Sequence, residues 1–178
     1  IARPGAEGSL RARRCRMTEA FVARTHEELA TEEELLGLSG LEFMQAIRDG
    51  RIAGPPIAGT LDYTLETVEE GRVVFRGAPR FAFANPMGTV HGGWYGTLLD
   101  SCMACAVMTM LPKGTVYTTL EYKVNITRPV PEGMEVRAIG MAQHVGRTTG
   151  VANAEMRGVA DGKLYATGST TCIVMRRG

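Results

Sequence analysis

Cysteine, histidine and net charge are all scarce in this chain, and each scarcity removes a class of function. Four Cys in 178 residues do not make the dense framework of a small disulfide-stapled secreted domain. Cys102 and Cys105 form a C-x-x-C, but no second such pair and no suitably spaced His pair accompanies it, so no zinc site is expected. The two thiols fall well inside a presumed helix and read as small buried helix residues, with a thioredoxin-like use as the weaker alternative. The formal net charge is +1, which supplies no field to recruit nucleic acid or an anionic membrane. What basic character there is sits at residues 1–16, where five Arg face one Glu and leave the rest of the chain net negative. No apolar segment reads as membrane-spanning. The nearest, Gly92 to Pro112, holds Asp100 near its centre, at a cost of ~2.5–3.5 kcal/mol on insertion scales. Internal repeats and low-complexity tracts are absent too.

What is present suits a globular fold with one core: 44% hydrophobic and 22% charged residues. The expected location is cytoplasmic. Residues 1–26 are expected to be a disordered N-terminal extension. The Arg-rich, acid-poor run at 1–16 also has the composition of a transit peptide, and no apolar run follows it to make a secretory signal.

Residues 27–50 read as helical. Thr31 precedes Glu34, and Ser39 precedes Glu42, in the capping-box pattern. Gly50 suits a helix end, and Gly54-Pro55-Pro56 reads as a linker. Residues 27–56 thus form an accessory helical segment before a main domain at 57–178. There Leu61, Tyr63 and Leu65 alternate with polar residues, Glu69-Glu70-Gly71 turns, and RVVFRG returns as the second arm of a hairpin. FAFA at 81–84 is a short strand or a loop. After Pro112-Lys113-Gly114, four strands are expected at about 116–127, 134–145, 149–159 and 163–175, the last two joined at Asp161-Gly162. In the first, Leu120, Tyr122, Val124 and Ile126 alternate with Thr119, Glu121, Lys123 and Asn125. The later strands carry small residues at every second position: Ala138, Gly140 and Ala142; Ala152 and Ala154; Ala166 and Gly168. Residues two apart share a face, so these strands admit a helix closely, with Leu98, Leu99, Met103, Val107 and Met110 supplying the bulk. The predicted class is α+β: an antiparallel sheet wrapped around one long buried helix, with N-terminal accessory helices.

Between Gly92 and Pro112, Asp100 is the sole acidic, basic or histidine side chain. A carboxylate in apolar surroundings is costly unless it is stabilised or its pKa moves. It follows a turn signal at Asn85-Pro86-Met87-Gly88 and the string His91-Gly92-Gly93. An isolated acid on a buried helix, behind a His and a flexible backbone, has the marks of a catalytic site.

The string Asn85-Pro-Met-Gly-Thr-Val-His91-Gly92-Gly93, with Asp100 nine residues after His91, resembles the hotdog-fold thioesterases of the PaaI type. Thr119-Leu-Glu-Tyr-Lys-Val-Asn125-Ile-Thr-Arg128-Pro129 resembles their strand after the helix, and Gly146-Arg147-Thr148-Thr149 resembles their turn into the next strand. The likeness covers roughly residues 60–176. It implies the hotdog fold and metal-free, cofactor-free hydrolysis of an acyl-CoA thioester. It also implies a homodimer or homotetramer, with active sites at the dimer interface built from both subunits.

On that resemblance the Gly92 N–H is the oxyanion donor at a helix N-terminus, where the bland reading is a glycine used only for the turn. Asp100 is general base or nucleophile, against a buried Asp that only bonds locally. His91 supports the loop rather than moving protons. Asn85 places water or the carbonyl, or simply shapes a turn before Pro86. Thr119 lies near the attacking water, although strand hydroxyls are common. Gly93 and Trp94 are expected beside the substrate, with Tyr95 a further candidate for the acyl pocket; the bland role of both aromatics is core packing. Arg128 and Arg147 are candidates for the phosphates of coenzyme A, with Lys123 a poorer one, and each reads equally as a solvated charge. Two other functions stay open. One is a CoA-ester hydratase or dehydratase of the same fold, which needs an acid and a His across the site. The other is a non-catalytic acyl-CoA-binding module.

Overall fold

Both capping boxes expected in the N-terminal region form. A computed structural model of the chain describes residues 21–177, so the transit-peptide reading of residues 1–16 and most of the extension expected at 1–26 lie outside the described residues, while Val22 and the buried Ala23 are ordered against Gly54. After a 3-10 turn at His26–Glu28, α1 spans Glu32–Gly37 and α2 spans Gly40–Arg48. Thr31 and Ser39 each accept from the backbone N–H three residues on, and Glu34 and Glu42 reach back to the cap N–H groups. Gly50, with φ at 72°, follows the end of α2 in the left-handed conformation expected of it. The stretch read as a linker is more ordered than expected. Val22 bridges to Gly54, and Pro56 opens a one-turn helix, α3, at Pro56–Thr60, because proline suits the first helical position as well as a loop.

Strands β1 (Tyr63–Glu69) and β2 (Arg72–Gly77) form the expected hairpin. FAFA at 81–84 is neither of the two expected forms in full: Phe81–Phe83 make a 3-10 turn. The central helix α4 then runs Gly92–Met108. It is followed by β3 (Thr115–Ile126), β4 (Val136–Val145), β5 (Thr149–Gly158) and β6 (Leu164–Arg176). The six strands make one antiparallel sheet in the order β1-β2-β4-β5-β6-β3. This is the predicted sheet around a helix, with β1 and β3 at its edges.

The small residues do what their spacing implied. Gly140, Ala154 and Gly168 are cross-strand neighbours in a single row over β4, β5 and β6. A Cβ on Gly140 would lie 2.1 Å from the Cys102 carbonyl oxygen and 2.8 Å from the Met103 nitrogen. The helix backbone therefore rests directly on the sheet. Leu98, Leu99, Met103 and Val107 are all fully buried, each worth about 1.5–3 kcal/mol relative to exposure. Met110 differs from the expectation, since α4 stops at Met108 and Met110 is 42% exposed. A second apolar cluster joins Phe43, Met44 and Ala46 of α2 to Met108, Leu111 and Val174. Gly40 N–H donates to the Leu111 carbonyl at 2.9 Å, so the N-terminal helices pack over the C-terminal end of α4.

Candidate active site

One irregularity in β3 builds the site. Plain alternation would send Thr119 and Tyr122 to opposite faces. Between Thr119 and Glu121 the pairing with β6 shifts register, which makes Leu120 an extra, bulged residue, 59% exposed. The bulge is held from β6, where the buried Thr170 hydroxyl donates to the Glu121 carbonyl at 2.7 Å. With the alternation reset, Thr119, Tyr122 and Ile126 all face α4. Opposite them Gly92, Gly96 and Asp100 recur every fourth residue along one helix face. Ile126 lies over Gly92, with its Cδ1 3.7 Å from where a Cβ would be; Tyr122 lies over Gly96, with its hydroxyl 3.2 Å from that position. The Thr119 hydroxyl donates to Asp100 Oδ1 at 3.0 Å.

The N-terminus of α4 is shaped by the loop before it. Asn85 Oδ1 accepts from the N–H groups of Met87 and Thr89, and Asn85 Nδ2 donates to the Thr89 hydroxyl. Ala84 and Val90 pair across the loop, and His91 N–H donates to the Phe83 carbonyl. Asn85 therefore organises the turn, with one amide hydrogen left over. His91 is the N-cap. Its Nδ1 accepts from Gly93 N–H at 2.9 Å, so in the neutral imidazole the proton is on Nε2. The Gly93 donor, expected beside the substrate, is thereby used. The Gly92 N–H has no such partner among the described residues, and it opens a 17-residue helix whose dipole favours negative charge there.

Asp100 is half-buried. Burial pushes its carboxyl above the ordinary 3.8, and the Thr119 hydrogen bond partly opposes the rise. Beside it, Ser101 meets the Tyr63 hydroxyl at 3.0 Å. Burial pushes the Cys105 thiol up to about 12, and Cys102 also rises. Both thiols thus stay protonated near neutrality, which argues against the thioredoxin-like alternative. Among the described residues no three His, Cys, Asp or Glu side chains converge as metal ligands, and no helix is long and apolar enough to cross a membrane.

Other expected site residues are not gathered here. Trp94 is 2% exposed, and its indole N–H donates to the Leu61 carbonyl at 3.0 Å. Tyr95 is equally buried and accepts from Val130 N–H, so both aromatics pack the core. Arg128, two residues beyond Ile126, belongs to the Gly92 end, with its Nε on the Leu164 carbonyl. Arg147 lies beside Leu111 and Pro112, past the other end of α4. Tyr122 is a residue of this face that the sequence does not single out, although Gly96, midway between Gly92 and Asp100, signals that something approaches the helix there. Gly92 and Asp100 themselves are eight residues apart on one straight helix, or roughly 12 Å at 1.5 Å per residue.

Residues 87–165 match the family described as the Thioesterase superfamily. A Caenorhabditis elegans protein whose description names an esterase is 36% identical over 88 residues, 49% of this chain and 51% of that one. The chain thus spans about half the length of this curated relative. Among solved structures, a phenylacetic acid degradation-related protein of Ralstonia eutropha JMP134 is 30% identical, with a TM-score of 0.67, over 73% of this chain and 98% of that one. A Streptococcus mutans protein, solved bound to acetyl CoA, shares the fold at 23% identity and a TM-score of 0.59, over 66% of this chain and 92% of that one.

Proposed function

This chain belongs to the hotdog-fold thioesterase superfamily, and from that premise we propose that it hydrolyses an acyl-CoA thioester to a carboxylic acid and free CoA, at a site completed by a second copy of itself. Asp100 takes a proton from water as the oxygen attacks the thioester carbon. The resulting oxyanion accepts from the Gly92 N–H. The C–S bond then breaks as the oxyanion collapses, and Asp100 returns its proton to the departing sulfur, so that CoA leaves as the thiol. His91 and Asn85 hold the Gly92 donor in place, and Thr119 orients the Asp100 carboxylate. Arg128, at the Gly92 end, takes the phosphates of CoA. The S. mutans relative in complex with acetyl CoA supports this ligand class.

The observation that carries the reading is the separation of Gly92 from Asp100. A reacting carbon needs an oxyanion donor and a base-held water each within about 3 Å. Two groups roughly 12 Å apart on one rigid helix do not both reach it. A second copy, reversed about a two-fold axis near Gly96 and Tyr122, brings its own Gly92 to the level of the first copy's Asp100. The means of pairing is present in β3, which has a neighbour on one side only. It also exposes Leu120, Tyr122 and Ile126 at 59%, 47% and 47%, an unprotected edge of the kind that pairs with another strand.

The test is release of free thiol from a panel of aromatic and aliphatic acyl-CoA thioesters by the purified protein and by Asp100→Asn. Thiol release by the wild type that falls about 10²–10⁴-fold in the variant supports the mechanism. Equal rates end it. A change in enoyl absorbance without thiol release points instead to a hydratase.

A further inference from the structure

Tyr122 sits where the acyl group has to go. Its ring lies along α4 at Gly96, with Oη, Cε2 and Cζ at 3.2, 3.4 and 3.7 Å from the position a Cβ would take. Gly96 is one helical turn from Asp100, so the ring lies one turn from the proposed base along the same helix face. Tyr122 is 47% exposed, and its hydroxyl makes no hydrogen bond among the described residues. An aromatic ring one helical turn from a half-buried carboxylate, on the face that the second copy is proposed to cover, offers an apolar wall to a site formed between the two copies.

Resting on the thioesterase reading above, we infer that Tyr122 determines acyl specificity: its ring closes the groove beyond Asp100 and limits how long an acyl chain the site accepts. On that reading the thioester carbon lies at Asp100 and the CoA portion runs toward Arg128. The acyl portion is left the strip between α4 and β3. Along that strip the next side chain after Thr119 on the helix-facing side is Tyr122, with Val124 and Ile126 beyond it. Gly96 is the counterpart of this arrangement on the helix, since a side chain there would push the ring into the groove.

The test compares Tyr122→Ala and Tyr122→Phe with wild type over saturated acyl-CoA thioesters of increasing length, with thiol release giving kcat/KM for each. Tyr122→Ala opens the groove, so the ratio of kcat/KM for dodecanoyl-CoA to that for hexanoyl-CoA should rise about tenfold or more. Tyr122→Phe keeps the ring and should keep the wild-type ratio. A wild type that turns over the panel while Tyr122→Ala shows the wild-type ratio overturns this inference and leaves the thioesterase reading intact. The same holds if Tyr122→Phe shifts the ratio as far as Tyr122→Ala. A wild type that releases no thiol from any member overturns both. Circular dichroism melting of each variant keeps a folding defect from passing as a specificity change, because a misfolded protein loses all substrates together.

Discussion

The Thr119 hydroxyl donates to Asp100 Oδ1 at 3.0 Å, from the last helix-facing position of β3 before the bulge at Leu120. The bond links a backbone irregularity to the protonation of the proposed base. A hydrogen bond to the charged form favours that form, so Thr119 holds the Asp100 carboxyl lower than burial alone would set it.

Removing that hydroxyl should therefore move a titration. In Thr119→Val the Asp100 carboxyl rises further, and the acid limb of kcat/KM against pH shifts to higher pH. Thr119→Ser retains the donor and restores the wild-type limb. The pH–rate profiles of the three proteins decide it. An unmoved limb in Thr119→Val, with activity merely scaled down, shows that the hydroxyl does not tune Asp100.

The same raised carboxyl predicts how stability depends on pH. The native pKa of Asp100 lies above the ordinary 3.8, so the native state binds this proton more tightly than the unfolded chain does. As pH rises through the interval between the two values, the unfolded state releases the proton first and stability falls. Above both values the native state carries a half-buried charge, and Asp100→Asn removes it. The Tm of Asp100→Asn should exceed that of wild type near neutrality, and the gap should close as pH falls into the ordinary carboxylate range. Thermal melts across that range give the answer, and a gap that widens on acidification contradicts the assignment.

What could be read in advance was local in origin. The capping boxes at Thr31 and Ser39, the Gly71 and Gly162 turns, and the isolation of Asp100 depend on residues a few positions apart, and all are visible in the linear chain. The small-residue face was also legible, because Ala138, Gly140, Ala154 and Gly168 obey a period of two. The bulge at Leu120 was not. It depends on Thr170 and Cys172 of a strand some fifty residues later, and Leu120 is apolar enough to pass for an inward residue. Trp94 misled in the opposite sense. Its place beside the glycines suggested a substrate contact, while the partner that fixes it, the Leu61 carbonyl, belongs to a distant turn.

The row of small residues under α4 makes a sharp stability prediction. A Cβ at Gly140 would meet the Cys102 carbonyl carbon at 2.4 Å as well as its oxygen. These are backbone atoms of a buried helix, and no rotamer change moves them aside. Gly140→Ala should destabilise the fold by about 1–3 kcal/mol or more, read as a lower midpoint in urea. Ala142→Gly, in the same strand, tests the opposite sense: it makes no clash and costs the backbone entropy of an added glycine and the packing of one half-buried methyl. If Gly140→Ala melts like the wild type, the helix does not rest on the sheet as closely as described.

The Gly92 donor can be deleted without disturbing its helix, and this allows a direct test of the shared site. Proline is well tolerated at the first position of a helix, where its missing N–H had no helical partner. His91 already has φ −64° and ψ 139°, the extended conformation a residue before proline favours. Gly92→Pro should thus keep its Tm and lose about 10²–10³-fold in kcat, while Gly92→Ala, which keeps the N–H and gains a Cβ at ordinary contact distance from Ile126, should stay active. Now let Gly92→Pro and Asp100→Asn be unfolded together and refolded. In a mixed dimer, one site draws a sound Gly92 from the Asp100→Asn chain and a sound Asp100 from the Gly92→Pro chain, and the other site is doubly defective. Random pairing therefore returns about one quarter of wild-type activity from two nearly inactive proteins. If each chain instead assembled its own site, every site in the mixture would still lack one group, and no activity would return.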